Sequence, residues 1–193
     1  LKIKAFGYVV DDIPKTDVLI KDLKYFEEKY GGVLPFEITI DTKKENGVIS
    51  ETARCLYRIN RVQKLLSHYP ELSRPLSVVE IVKFLYQSYK GGEEKFYKMP
   101  SATDLKTIAE YIKEEKEKQS QITAFVDSTK QYTRISVQMK DVGSVRVKEL
   151  TKELKPRIDS IFNYDDEAKA WLPKEKQYDV RITGNSIMFL KGN

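Results

Sequence analysis

The sequence predicts an α+β fold in which helices cover one face of an antiparallel sheet and a helical block is inserted. Two patterns lead to this prediction. Several short segments alternate apolar and polar residues, and longer segments repeat apolar residues every three or four positions. The third observation is size, because 193 residues with 11% aromatic side chains can bury the core of one ordinary domain.

The N-terminal part predicts a strand, a helix and a second strand. The opening segment "IKAFGYVV" is rich in strand-forming residues, and Pro14 suits the first turn of a helix over residues 15–30. We expect this helix to bury an apolar stripe made of Leu19, Leu23, Phe26 and Tyr30. Gly31 can end the helix in a left-handed conformation. The next segment, "PFEITIDT", alternates as a strand whose buried face carries Phe36, Ile38 and Ile40.

Residues 43–120 read as almost wholly helical. A first helix over residues 51–68 carries an apolar stripe of Leu56, Ile59, Val62 and Leu66. Ser77 with Glu80 has the spacing of a capping box and begins a second helix, and Ser101 with Asp104 resembles a second capping box. We therefore predict that residues 43–120 form a helical insertion.

The strand pattern returns in the C-terminal part. "ITAFVD" and "YTRISVQM" flank the turn-like "STKQ", Ser144 can cap a long helix with a kink near Pro156, and "YDVRIT" alternates as a last strand. Without the helical block, the order is strand, helix, strand, strand, helix, strand, which is the split βαβ order of ferredoxin-like folds. We predict that residues 1–42 and 121–183 form this core within one domain, 1–193.

Composition argues against a dedicated nucleic-acid binder. The 34 basic and 29 acidic residues give a net charge of +5, and basic runs such as "EYIKEEKEKQ" contain their own acids. We therefore expect no nucleic-acid partner. No window approaches the roughly 18 to 20 consecutive apolar residues that span a bilayer, and the N-terminus lacks the layout of a signal peptide.

The residues that usually carry catalysis are almost missing. His68 is the only histidine and Cys55 the only cysteine, so the sequence offers neither a nucleophile with a base nor a soft metal site. The paired aspartates at 11 and 12 and at 165 and 166 are chain neighbours, and the paired glycines lack a phosphate-binding pattern. We predict no catalytic, cofactor-binding or metal-binding residue, and therefore no enzyme.

Two surfaces could still bind something. The strand "YTRISVQ" places Tyr132 and Arg134 on one face, which leaves open a soluble α+β adaptor domain that binds protein or nucleic acid through the strand face around Arg134. The helical block is dense in Tyr and Phe, which would pack its interior or line an apolar cleft.

Several segments, in their order along the chain, resemble a periplasmic loop of RND-superfamily exporters. They are the entry from Asp12 to Pro14, the helix end "YFEEKYGG", the strand "PFEITIDT", the strand and turn "TRISVQMKDVGS", and the closing "VRITGNSIMFLKGN". The branch that the sequence resembles contains MMPL-like, hopanoid-exporter-like and Patched-related permeases. The quoted segments are spread over most of the chain, and the form "GGVLPFEITIDT" is more similar to the second large loop.

The resemblance implies a porter domain on the periplasmic face of the bacterial inner membrane. Residues 184–193 would lead into a membrane helix, and the partners would be the transporter's membrane helices and its other periplasmic loop, with an oligomer of the full transporter left open. The cargo would be lipidic or hydrophobic, and the protons that drive export would pass through the membrane helices. We therefore expect no cofactor, no turnover and a conducting and gating role. Candidate cargo-facing side chains are Phe84, Tyr86 and Phe96.

Overall fold

A three-stranded antiparallel sheet forms the centre of the protein. The structure is a computed structural model that describes residues 17–50, 52–113 and 122–184. Strand β1 (Leu34–Asp41) lies between β2 (Tyr132–Met139) and β5 (Asp179–Thr183). A separate two-stranded ribbon pairs β3 (Tyr164–Asp165) with β4 (Ala170–Trp171). The predicted α+β class with an antiparallel sheet is confirmed.

Five helices accompany the sheet in the described residues: α1 (Val18–Tyr30), α2 (Arg54–Leu66), α3 (Val78–Tyr89), α4 (Ala102–Lys113) and α5 (Gly143–Asn163). Two short 3₁₀ turns span Glu94–Phe96 and Lys174–Lys176. The strand predicted in "IKAFGYVV" lies outside the described residues, as do residues 185–193 of the lead-in predicted over 184–193.

The sheet contains two pairs of parallel segments, and an antiparallel strand lies between the members of each pair. A helix connects the two members of each pair along the chain. Strands β2 and β5 are both antiparallel to β1, so they are parallel to each other, and α5 connects them. On the other edge of β2, Leu72 and Leu76 form antiparallel bridges with Met139 and Ser136. Residues 72–76 therefore run parallel to β1, and the chain connects the two through α2. Within the described residues, α2 and α5 are thus the helices that connect parallel segments, and this pairing is compatible with a split βαβ arrangement.

Strict alternation gives the sheet one buried face. Phe36 is paired with Val137, and Ile38 is paired with both Ile135 and Ile182. Because successive side chains of a strand point to opposite faces, these residues share the face that packs on the helices. The intervening residues of β1 are polar and lie on the other face.

Helices α2 and α5 supply most of the other side of the core. Ile59 and Val62 of α2 and Leu150 and Leu154 of α5 are buried in the same hydrophobic cluster as the sheet. The range 43–120, predicted as an insertion, thus contains one of the helices that cover the sheet. Apart from this helix, the predicted division into a core of residues 1–42 and 121–183 and an insertion of residues 43–120 stays a prediction.

The prediction for α1 was right about the helix and wrong about its environment. The helix ends at Gly31, whose φ of 77° is left-handed and whose N–H donates to Glu27 O at 2.9 Å, as predicted. The stripe that was expected to be buried is largely exposed: Leu19, Phe26 and Tyr30 are among the large apolar side chains in contact with solvent. Periodicity identified an apolar face but not whether another element covers it.

Two predictions in the C-terminal part also need correction. "ITAFVD" does not form a strand, because the N–H groups of Phe125 and Val126 donate to Ile122 O and close a helical turn; Val126 makes only an isolated bridge with Thr133. Helix α5 begins at Gly143, one residue before the predicted cap, and contains Pro156; the kink predicted near Pro156 stays a prediction.

Candidate functional surfaces

The three predicted cargo-facing side chains do not form one surface. Tyr86 is buried and packs edge-on against Phe96, with ring centroids 5.8 Å apart, in a small second core that also contains Leu85 and Ile108. The hydroxyl of Tyr86 donates to Asp104 at 3.1 Å. Phe84 is 54% exposed. Residues two positions apart on a helix point about 200° apart, which is why Phe84 and Tyr86 face in different directions.

The outer face of the sheet is polar and largely uncovered, and we call it the open sheet face. Thr39 of β1 is paired with Arg134 of β2 on one side and with Arg181 of β5 on the other, so the three side chains form a row across the sheet. The next row places Tyr132 beside Asp41. Two guanidinium groups therefore flank one hydroxyl at the centre of this face.

A cleft of about 520 Å³ lies on the open sheet face beside residues 123–127. Arg134 donates to Ala124 O at 3.3 Å and lies 3.7 Å from Glu37 Oε1, and Arg181 donates to Asp179 at 2.6 Å. The hydrogen bonds from Arg181 lower the pKa of Asp179, so that carboxyl is held in its charged form. Both arginines already have acidic partners, so an anionic ligand on this face would have to compete with the carboxylates of Glu37 and Asp179.

Helix α1 carries the second uncovered surface, the α1 aromatic face, formed by Tyr25, Phe26 and Tyr30. These side chains are 57%, 49% and 64% exposed. The rings of Phe26 and Tyr30 stack with centroids 5.6 Å apart, and Tyr25 meets Phe26 edge-on at 6.0 Å. A cleft of about 400 Å³ continues this face past Gly32 and Val33. The aromatic groups thus form one continuous patch at the C-terminal end of α1.

The end of α1 is attached firmly to the sheet although its aromatic side chains are not covered. The N–H of Asp141 donates to Glu27 at 2.7 Å, and the N–H of Val33 donates to Met139 O at 3.1 Å. Gly32 lies so close to β2 that an added Cβ would be 2.5 Å from the carbonyl carbon of Met139. The two hydrogen bonds attach the end of α1 to β2, and Gly32 permits the close backbone approach. Together they fix the position of the aromatic face.

The described residues give no support to catalytic chemistry. Burial raises the pKa of the Cys55 thiol to about 12, which leaves it protonated and unreactive at neutral pH. His68 is exposed just after the end of α2. Within the described ranges, no group of three His, Cys, Asp or Glu side chains could hold a metal ion. None of the helices in those ranges is long and apolar enough to cross a membrane.

Comparisons of the chain with protein-family models, with curated proteins and with solved structures found no match. Function must therefore be argued from the surfaces themselves.

Sequence reasoning identified Tyr132 and Arg134 but missed two features of these surfaces. Arg181 was missed because its place beside Thr39 depends on the pairing of β5 with β1, which local patterns do not specify. The exposure of the α1 aromatic face was missed because an amphipathic helix has the same pattern whether or not another element covers it. One available signal was the presence of three aromatic residues within the six residues "YFEEKY".

Proposed function

We propose that this chain is an extracytoplasmic porter domain of an RND-type exporter. It would lie on the periplasmic face of the bacterial inner membrane, contact the transporter's membrane helices and its other periplasmic loop, and conduct and gate lipidic or hydrophobic cargo. It would catalyse no reaction itself. The sequence segments quoted above support this proposal, and a strand pairing compatible with a split βαβ arrangement fits it.

The observation that carries the proposal is the α1 aromatic face. A contiguous exposed apolar patch on a folded domain usually marks a contact with another protein, a membrane or a ligand. Here the patch is on a helix that is anchored through Gly32 but is not one of the two helices that cover the sheet. We infer that α1 contacts another part of the same transporter.

Export by the full transporter tests this role. Replacing Phe26 and Tyr30 together by serine should reduce export, because it removes the stacked pair at the centre of the patch. The readout is the lipid composition of the inner and outer membranes by mass spectrometry, at equal protein level. Trp171→Ser is the matched control, since Trp171 is a similarly exposed aromatic residue on the β3–β4 ribbon. Normal export by the double variant would contradict this role of the face.

The candidate cargo-facing residues need a separate variant. Phe84→Ser changes an exposed side chain and should leave the fold intact. An export defect would therefore support the hypothesis that side chains of α3 line the path of the cargo. Substitutions at Tyr86 and Phe96 are less informative, because those rings form the second core. If Phe84→Ser exports normally, the assignment of Phe84 as cargo-facing is wrong.

A second candidate function is an adaptor that binds through the open sheet face. The row of Arg134, Thr39 and Arg181, with Tyr132 beside it, favours this alternative. Fluorescence anisotropy with single-stranded RNA distinguishes the two functions. Salt-sensitive binding that Arg134→Gln abolishes would support the adaptor, whereas no binding at low salt would exclude RNA as its ligand.

A further inference from the structure

One cleft of the described structure is lined mainly by basic and polar side chains. It has a volume of about 830 Å³ and lies between residues 42–50, the first two turns of α2 and residues 172–178. Five of its lining residues are basic, namely Lys43, Lys44, Arg54, Arg58 and Lys176, and two are acidic, Glu45 and Glu175. We call it the basic cleft. Its volume is within the usual range for small-molecule sites.

The arginines of the basic cleft differ from the other arginines of this protein. The chain has eight arginines, and six of them, from Arg61 to Arg181 along the chain, lie within 4.0 Å of a carboxylate. The other two are Arg54 and Arg58. Within the described residues neither forms an ion pair, and both line this cleft. Arg58 instead lies over the ring of Tyr178, with its guanidinium carbon 5.0 Å from the ring centroid.

Nearby carboxylates compensate the position of these arginines in the helix only in part. Asp165, Asp166 and Glu167 line a second cleft together with Arg54 and Arg58. Backbone hydrogen bonds lower the pKa of Asp165, and the charges of both arginines lower it further, but no described carboxylate lies within 4.0 Å of either guanidinium.

Both arginines lie in the first two turns of α2, whose first turn contains no acidic residue and whose Ala53 cap has no side-chain hydrogen bond. The N-terminal end of a helix carries a partial positive charge, so cations placed there are destabilising. An anion in the cleft would interact favourably with both guanidinium groups and with the helix end.

We propose that the basic cleft binds a phosphate-bearing anion through Arg54 and Arg58, with Lys43 and Lys44 of the same lining as further positive charges. Guanidinium groups can donate two parallel hydrogen bonds to phosphate oxygens, and lysines contribute as point charges. Ile49, Leu172 and Tyr178 add an apolar part to the lining, which fits an organic phosphate. The phosphate could belong to a soluble compound or to a lipid headgroup. The proposal does not depend on the proposed exporter function.

The test is a titration of ¹⁵N-labelled protein with inorganic phosphate at constant ionic strength, followed by NMR. Phosphate should shift the amide signals around the cleft more than chloride does. The double variant Arg54→Gln with Arg58→Gln should bind on the order of tenfold more weakly, because two charged hydrogen-bond donors are lost. A second variant, Lys43→Gln with Lys44→Gln, leaves the Arg58 and Tyr178 contact intact and should also weaken binding.

Arg61→Gln is the matched control. Arg61 is on the same helix and loses the same charge, but it pairs with Asp166 at 3.0 Å and lies outside the basic cleft. Co-sedimentation with vesicles of phosphatidylglycerol and phosphatidylcholine, against phosphatidylcholine alone, then identifies the source. Binding to the anionic vesicles that needs Arg54 and Arg58 indicates a lipid headgroup, and phosphate binding without vesicle binding indicates a soluble compound. The proposal is overturned if neither probe depends on these arginines, or if Arg61→Gln weakens binding equally.

Discussion

The clearest contrast in this structure is between the apolar faces of α1 and α2, and one pair of substitutions tests it. Ile59 of α2 is fully buried against the sheet, whereas Phe26 of α1 is half exposed. The two helices have equal lengths and each has an amphipathic pattern. Replacing each of these residues by alanine tests whether the apolar face of α1 or of α2 is buried in the isolated chain.

The expected magnitudes differ severalfold. Ile59→Ala removes three buried carbons and leaves a cavity, which costs about 2 to 5 kcal/mol of the free energy of unfolding. Phe26→Ala removes an exposed ring stacked on Tyr30, a contact that is worth roughly 0.2 to 0.5 kcal/mol on a helix surface. Alanine also has the higher helix propensity, which offsets part of this loss. We therefore expect Phe26→Ala to change stability by no more than about 0.5 kcal/mol.

Urea unfolding followed by circular dichroism measures both effects, with the m-value as the check on a two-state transition. Thermal unfolding should agree, since a chain of this size loses roughly 2 to 4 °C in midpoint for each kcal/mol. If Phe26→Ala destabilises the chain as much as Ile59→Ala does, α1 is buried within the domain. That result would refute the free aromatic face on which the proposed function depends.

Three further predictions concern single residues. Cys55 should not react with a thiol reagent at pH 8 until the protein unfolds, because burial keeps the thiol protonated; immediate labelling by DTNB would contradict this. Burial alone would raise the pKa of Glu80, but hydrogen bonds from Lys83 and Tyr97 outweigh burial and lower it below the ordinary 4.5. The carboxylate therefore stabilises the fold above pH 4.5, and the stability difference between wild type and Glu80→Gln should shrink as pH falls further, in denaturant titrations; a constant difference would contradict this. Gly32→Ala should cost about 1 to 3 kcal/mol because its Cβ meets the backbone of β2, and an unchanged urea midpoint would contradict that contact.

Local sequence patterns were sufficient to predict most of the helices and strands. The stripe of Ile59 and Val62 predicted a buried helix face, the alternation in "PFEITIDT" predicted the central strand, and Gly31 predicted the end of α1. These signals depend on side-chain periodicity and on backbone preferences of single residues. Both properties are fixed by a few neighbouring residues, so a sequence shows them directly.

Contacts between distant segments were not predictable in the same way. The pairing of Leu76 with Ser136 places residues 72–76 at the sheet edge and makes α2 a crossover helix, although the whole range 43–120 was predicted as an insertion. The basic cleft likewise combines Lys43, Arg54 and Lys176 from three separate segments. No local pattern relates these residues, because only the folded chain brings them together.

The central proposal is that this chain is part of a membrane exporter, and the coding sequence on both sides of it tests that proposal most directly. We expect an apolar segment of about 20 residues near each end, long enough to span a bilayer, together with a second large extracytoplasmic loop encoded in the same gene. A start codon directly before Leu1 and a stop codon directly after Asn193 would contradict the proposal and would leave the adaptor as the favoured function.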